Sequence, residues 1–257
     1  MSNQSLFRYP IGNVERLARK AWCAAMAKLG RMPIVMPAQG ARFIIDTVDC
    51  IDQCIAFDAI WDGPQLDLLA AVCRSRRIDT FLDVGANSGF YSVMFAIKDL
   101  ACDIIAFEPD PGNYARLLAN LEANGLTGRV KAVPLALGDR ASEVTLYEGA
   151  KWNRGESTIA VPDQTPKDVT HRVRQVRFDD EFALAGQSIV IKMDVEGYEF
   201  HALAGMERTL RENACHIQVE LYSERLEELK QLFAGFGYRF LRSEYIDHFF
   251  TNMPDLG

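Results

Sequence analysis

The stretch "FLDVGANSGFYS", residues 81–92, sets two glycines, an aspartate and an asparagine directly behind a short apolar run. An apolar run of that length reads as a buried strand, and the apolar residues after Ser88 read as a helix, so the glycines mark a strand-to-helix turn. Gly85 and Gly89 let the backbone turn tightly, with no Cβ between it and a ligand. The helix start presents free N–H groups that suit a carboxylate or a phosphate.

Outward from this turn the same rhythm continues. Strand "DIIAFEP" is followed by helix "PGNYARLLANLEANG", which Asp110 can cap and Pro111 can open, and then by strand "VKAVPLAL". Farther on come strand "SIVIKMD", a helix from about Tyr198 to Glu212, strand "CHIQVELY" and helix "SERLEELKQLFAGFG". Such alternation predicts βαβ units, a mostly parallel sheet and helices on both of its faces. The last two strands, "YRFLRSEY" and "HFFTNM", lie too close in sequence for a crossover helix and must be antiparallel. Between 141 and 178 the rhythm breaks into "SEVTLYEG", "ESTIAV" and "VRQVRFDD", an insert expected on the substrate side.

Ahead of the sheet, residues 13–29 have helical composition closed by Gly30 and Pro33. "ARFIIDTVDCIDQCIAF" (41–57) reads as two short strands joined by a turn near Asp46 to Asp49, and a helix is expected over about 64–75. Residues 1–60 are thus read as an extension and 61–257 as the catalytic domain.

The 257 residues carry a net charge of −7, which disfavours nucleic acid as a partner because its binders usually present a basic surface. Residues 1–31 depart from this balance, with six basic residues against Glu15, so that end is +5 and the remainder −12. The segment can touch an acidic membrane surface or be simply solvated, and the second reading carries more weight. Six scattered cysteines without a CxxC pair read as reduced thiols of a cytoplasmic protein. No apolar run approaches the roughly 20 residues of a membrane span. Nothing in the sequence specifies an oligomeric state.

Ligands of open parallel sheets bind at the carboxyl ends of the strands. A dinucleotide favours G-x-G-x-x-G, whereas Asn87 stands here where the second glycine would admit a pyrophosphate. S-adenosylmethionine has no phosphate and needs only room for its methionine tail and acceptors for its ammonium, for which Asp83 has the right sign. Glu108 ends the second strand nineteen residues after Gly89, where an acid can accept hydrogen bonds from both ribose hydroxyls. Gly138 permits a turn beside the adenine, and Asp139 can bond the base. Ala86, Asn87, Pro109, Asn113 and Asp194 complete the candidate cofactor-binding residues.

"FLDVGANSGFYS", "FEPDPGNYARLLANL", "ALGD" and above all "IKMDVEGYEFHALAGM" resemble the FkbM family of S-adenosylmethionine-dependent methyltransferases, over about residues 55–252. The resemblance implies a Rossmann-like class I fold with a seven-stranded sheet whose last strand is antiparallel. It also implies O-methylation of sugar hydroxyls or of macrolide-like natural products.

Methyl transfer is an in-line displacement at an activated carbon, so the protein mainly aligns the nucleophile and removes a proton. In strand geometry Lys192 and Asp194 share one face, and the chain leaves the sheet through Glu196, Gly197 and Glu199. Asp194 or Glu196 is the candidate base, with Lys192 holding the carboxylate or the substrate hydroxyl and Glu220 a further candidate for binding the acceptor. Glu199 serves either this cluster or the helix dipole. A divalent metal is compatible with these carboxylates, although no spacing demands one. His171 is the one histidine worth testing as a base. The Asn/Asp-Pro-Pro-aromatic tetrad of base and amide N-methyltransferases is replaced by "DVEG", which favours an oxygen acceptor. Trp61, Trp152, Tyr91 and Tyr222 are candidates for stacking on a sugar.

The sequence is therefore read as an O-methyltransferase that uses S-adenosylmethionine, releases S-adenosylhomocysteine and acts on a sugar-containing acceptor. Two other readings remain: an NAD-dependent oxidoreductase, and a non-catalytic S-adenosylmethionine-binding module docked through its basic N-terminal helix.

Overall fold

The computed structural model describes residues 5–159 and 170–254. The chain begins with α1 (Asn13–Lys28), the hairpin β1 (Ile34–Ala38) and β2 (Ala41–Ile45), and helices α2 (Cys50–Asp58) and α3 (Gly63–Ser75). It continues through β3 (Thr80–Val84), α4 (Phe90–Ile97), β4 (Asp103–Phe107), α5 (Pro111–Ala123), β5 (Val130–Val133), β6 (Ala136–Leu137), β7 (Ser142–Tyr147) and β8 (Thr170–Val176). The remainder is α6 (Phe178–Glu181), β9 (Ser188–Met193), α7 (Glu199–Ala204), α8 (Glu207–Glu212), β10 (Ala214–Glu220), α9 (Leu226–Gly235), β11 (Arg239–Glu244) and β12 (Asp247–Thr251).

Seven strands form the central sheet in the order β11-β12-β10-β9-β3-β4-β5. Only β12 runs against the rest, since it is antiparallel to both β10 and β11 while the other pairs are parallel. This is the expected Rossmann-like sheet of a class I methyltransferase, with its reversed last strand inserted next to the edge.

Strand alternation feeds two cores. Phe81, Val190 and Phe249 face α3 and α4 together with Phe43, Ile45 and Ile55 of the N-terminal segment. Leu82, Val84, Ile191, Met193, Ile217 and Val219 face the opposite way, onto Leu203, Leu210, Leu229 and Phe233 of α7, α8 and α9. Each such side chain, fully buried, contributes about 1.5–3 kcal/mol. Phe81 and Phe95 stack with ring centroids 3.6 Å apart, which fixes α4 under the glycine turn.

Three local expectations are corrected. Residues 41–57 hold one strand, and the second expected strand is α2. Asp49 caps this helix by accepting from the Asp52 N–H, and Ile55 and Ala56 bury its inner face. The partner of β2 is instead β1, whose strand character Pro37 obscures in the sequence. Pro134 divides the run 130–137, so β5 joins the central sheet while β6 pairs with β8 in a separate sheet completed by β7. The helix expected from Tyr198 to Glu212 is two helices, because the Asp179 carboxylate takes the N–H groups of Arg208 and Thr209 and starts α8 afresh.

Candidate functional site

A pocket opens at the carboxyl ends of β3, β4 and β9. Gly85, Asn87, Glu108, Pro109 and Asn113 line one side, Leu137 and Leu146 an apolar wall, and Asp194, Val195 and Glu196 the opposite rim. Residues 155–159 of the insert cover it, with Ser157 Oγ donating to Asp110 and Thr158 Oγ1 to the Glu196 carbonyl.

Gly85 is required by geometry. Its φ is +80°, and a Cβ there would lie 1.7 Å from the Asp194 carbonyl oxygen, so β3 and β9 meet only because this residue has no side chain. Gly89 answers to packing, since a Cβ would meet Leu117 of α5 at 2.3 Å. Glu108 is buried, its carboxylate accepting from the backbone N–H of Asn87 (2.7 Å) and of Asp110 (2.8 Å). Burial pushes it up to about 8.

Lys192 is the centre of the charged region. Its ammonium donates to Asp194 (2.9 Å) and approaches the Gly85 carbonyl (3.4 Å). The parallel register sets it beside Asp83 on β3 and Gln218 on β10. Burial opposes its charge, but Asp194, Asp83 and Glu220 outweigh that and hold it protonated far above the ordinary range. Asp83 lies beneath the pocket, with one oxygen accepting from the Ser92 N–H and hydroxyl. Its other oxygen has no partner among the described residues, and burial raises its proton affinity.

One carboxylate oxygen each from Asp194, Glu196 and Glu220 lies within 4.8 Å of the others, close enough to share one hard cation. Burial, followed by the charge of Asp194, pushes Glu196 up to about 8 and Glu220 up to about 9. Glu196 adopts φ 52° and Gly197 φ 93°, so the "DVEG" turn holds a non-glycine residue in left-handed backbone to present this carboxylate. Glu199 is buried, and its carboxylate accepts from the Gly197 N–H, bracing the same turn.

The chain has counterparts among known proteins. Residues 83–240 match the family model described as the methyltransferase FkbM domain. The chain belongs to the FkbM methyltransferase family. The hexuronic acid methyltransferase AglP of Haloferax volcanii is 24% identical over 210 residues, covering 77% of this chain and 79% of AglP. The methyltransferase sdnD of Sordaria araneosa is 28% identical over 169 residues, covering 55% of this chain and 65% of sdnD. Among solved structures, an FkbM methyltransferase from Methylobacillus flagellatus superimposes with a TM-score of 0.50 at 19% identity, over 68% of this chain and 43% of that one.

In this FkbM protein several sequence candidates have other surroundings. Gly138 and Asp139 follow Leu137 but do not line the pocket; Gly138 abuts the Gln175 side chain, and Asp139 pairs with His201 at 3.0 Å. Ala86 is buried behind the loop. His171 faces Glu148 at 3.3 Å, away from the carboxylates. Tyr91 is buried, Trp61 packs on the core, and Trp152 and Tyr222 are exposed. Part of the insert, residues 160–169, lies outside the described residues.

Two acids escaped the sequence reading. Asp62, which precedes α3, accepts from the Tyr91 hydroxyl and is pushed up to about 7 by burial and then by Asp247. Asp247 opposes Glu220 in register and holds the amides of Gln65 and Gln218. "DG" after Trp61 reads as a turn, and that signal hid Asp62; only the pairing of β10 with β12 reveals Asp247.

Proposed function

We propose that this methyltransferase moves a methyl group from S-adenosylmethionine to a hydroxyl of a sugar-containing acceptor, leaving S-adenosylhomocysteine. The observation that carries the reading is the Lys192–Asp194 pair at the end of β9, with Asp194 and Glu196 lining a pocket that Glu108 also lines and Glu220 clustered beside them.

Glu108 would take the ribose hydroxyls, the turn at 85–89 the methionine tail, and Asn113, Pro109 and Leu137 the base. Bound S-adenosylmethionine supplies a methyl on a sulfonium, which the surrounding carboxylates favour electrostatically. Asp194, committed to Lys192, orients the acceptor hydroxyl. Glu196, whose raised proton affinity suits a base working near neutrality, takes the proton as the new C–O bond forms and the C–S bond breaks. A sugar acceptor is supported by AglP, a distant relative named for a hexuronic acid, and by the absence of an amide-binding tetrad after β9.

The test is incubation of the purified chain with S-adenosylmethionine labelled in its methyl group and a panel of glycosides and lipid-linked sugars. Labelled methyl ether, formed by the native chain and lost in Asp194→Asn, supports the reading. Label appearing on nitrogen, or equal transfer by the variant, refutes it.

A further inference from the structure

The N-terminal helix carries an apolar face that the fold leaves uncovered. Of α1, only Cys23 is fully buried, against Met36 of β1. Arg19 fastens the same inner side by donating to the carbonyls of Pro37, Ile55 and Ala56. On the opposite side Val14, Leu17, Trp22 and Leu29 are 54–83% exposed, and helical spacing adds Ala18, Ala21 and Ala25 to the same stripe. The inner face is already anchored, so the stripe is not a core face left out of place.

Charge indicates what covers it. Lys28 and Arg31 are exposed on the segment, whose single acid, Glu15, is taken by Arg8, while Lys20 turns inward over the Phe57 ring of α2. The rest of the protein is −12, so this end is the one whose net charge suits an anionic surface. A second copy packed stripe to stripe would bring these same cations together, which disfavours self-association. A helix with an apolar stripe containing tryptophan and with basic residues beside it is suited to the boundary between headgroups and acyl chains.

We propose that α1 forms a docking surface for an anionic lipid bilayer, with the stripe entering the interface and Lys28 and Arg31 meeting phosphate headgroups. The surface is independent of the catalytic reading and stands if that reading fails.

Co-sedimentation of the full chain with vesicles of phosphatidylglycerol and phosphatidylcholine, or of phosphatidylcholine alone, tests this. Binding is expected only to the anionic vesicles, to weaken as salt rises, and to fall at least about tenfold in Leu17→Glu/Trp22→Glu. Both positions are exposed, and an unchanged circular dichroism spectrum would confirm that the variant folds. Absence of binding to anionic vesicles, or equal binding by the variant, overturns the proposal. So does a dimer in sedimentation velocity that the substitutions dissolve without any vesicle binding.

Discussion

Replacing Lys192 with methionine removes the ammonium that lies beside Asp194 and over the Tyr91 ring, while keeping an unbranched stem. Deleting one partner of a buried ion pair costs about 3–5 kcal/mol, because the remaining charge is stranded. Here the cost should depend on pH. Glu196 and Glu220, raised to about 8 and about 9, bind protons on folding, so their linkage lowers stability as pH climbs from the ordinary carboxylate range through those values. In Lys192→Met these carboxylates lose the cation that favours their charged form, which steepens the decline. The variant should therefore lose about 3–5 kcal/mol at pH 8 and less at pH 6. Urea unfolding followed by circular dichroism in metal-free buffer measures both. An equal loss at the two pH values, or a loss below about 1 kcal/mol at pH 8, would refute the assignment of Lys192 as the cation that neutralises this cluster.

Gly85→Ala should destabilise the fold by about 3 kcal/mol or more, since left-handed backbone and a collision with the Asp194 carbonyl combine; a shift in the urea midpoint reads it. Asp62→Asn should flatten the wild-type fall in stability between about pH 4 and pH 7, because burial raises this carboxyl to about 7 and the amide has no proton to lose; a parallel pH profile would count against it. With an acceptor in hand, kcat/KM should rise with pH through about 8 as Glu196 loses its proton, and Glu196→Gln should abolish that limb. Asp194→Asn should lower kcat by roughly 10²–10⁴, with cofactor affinity nearly unchanged.

The alternation from residue 80 onward made the sheet legible, because parallel strands buried on both faces are continuous apolar runs between helices. Glu108, Asp194 and Glu196 were legible for the same reason: each follows a strand end, where ligands of such sheets bind. Sequence periodicity could not identify α2, since β-branched residues and cysteines at 50–55 satisfy strand and helix alike and the Asp49 cap decides between them. Nor could it find Asp247, which joins the site only because β12 inserts beside β10 and sets it against Glu220. The charge of residues 1–31 could be counted in advance, but the exposed stripe of α1 appears only once Cys23 shows which face the core takes.

Calorimetric titration of the purified chain with S-adenosylmethionine, S-adenosylhomocysteine and NAD tests the central claim most directly. Both sulfur nucleosides are expected to bind one per chain and NAD not to bind, and Glu108→Ala should weaken both by at least about tenfold, the equivalent of one hydrogen bond. Binding of NAD without the sulfur nucleosides, or affinity unaltered in Glu108→Ala, would contradict it.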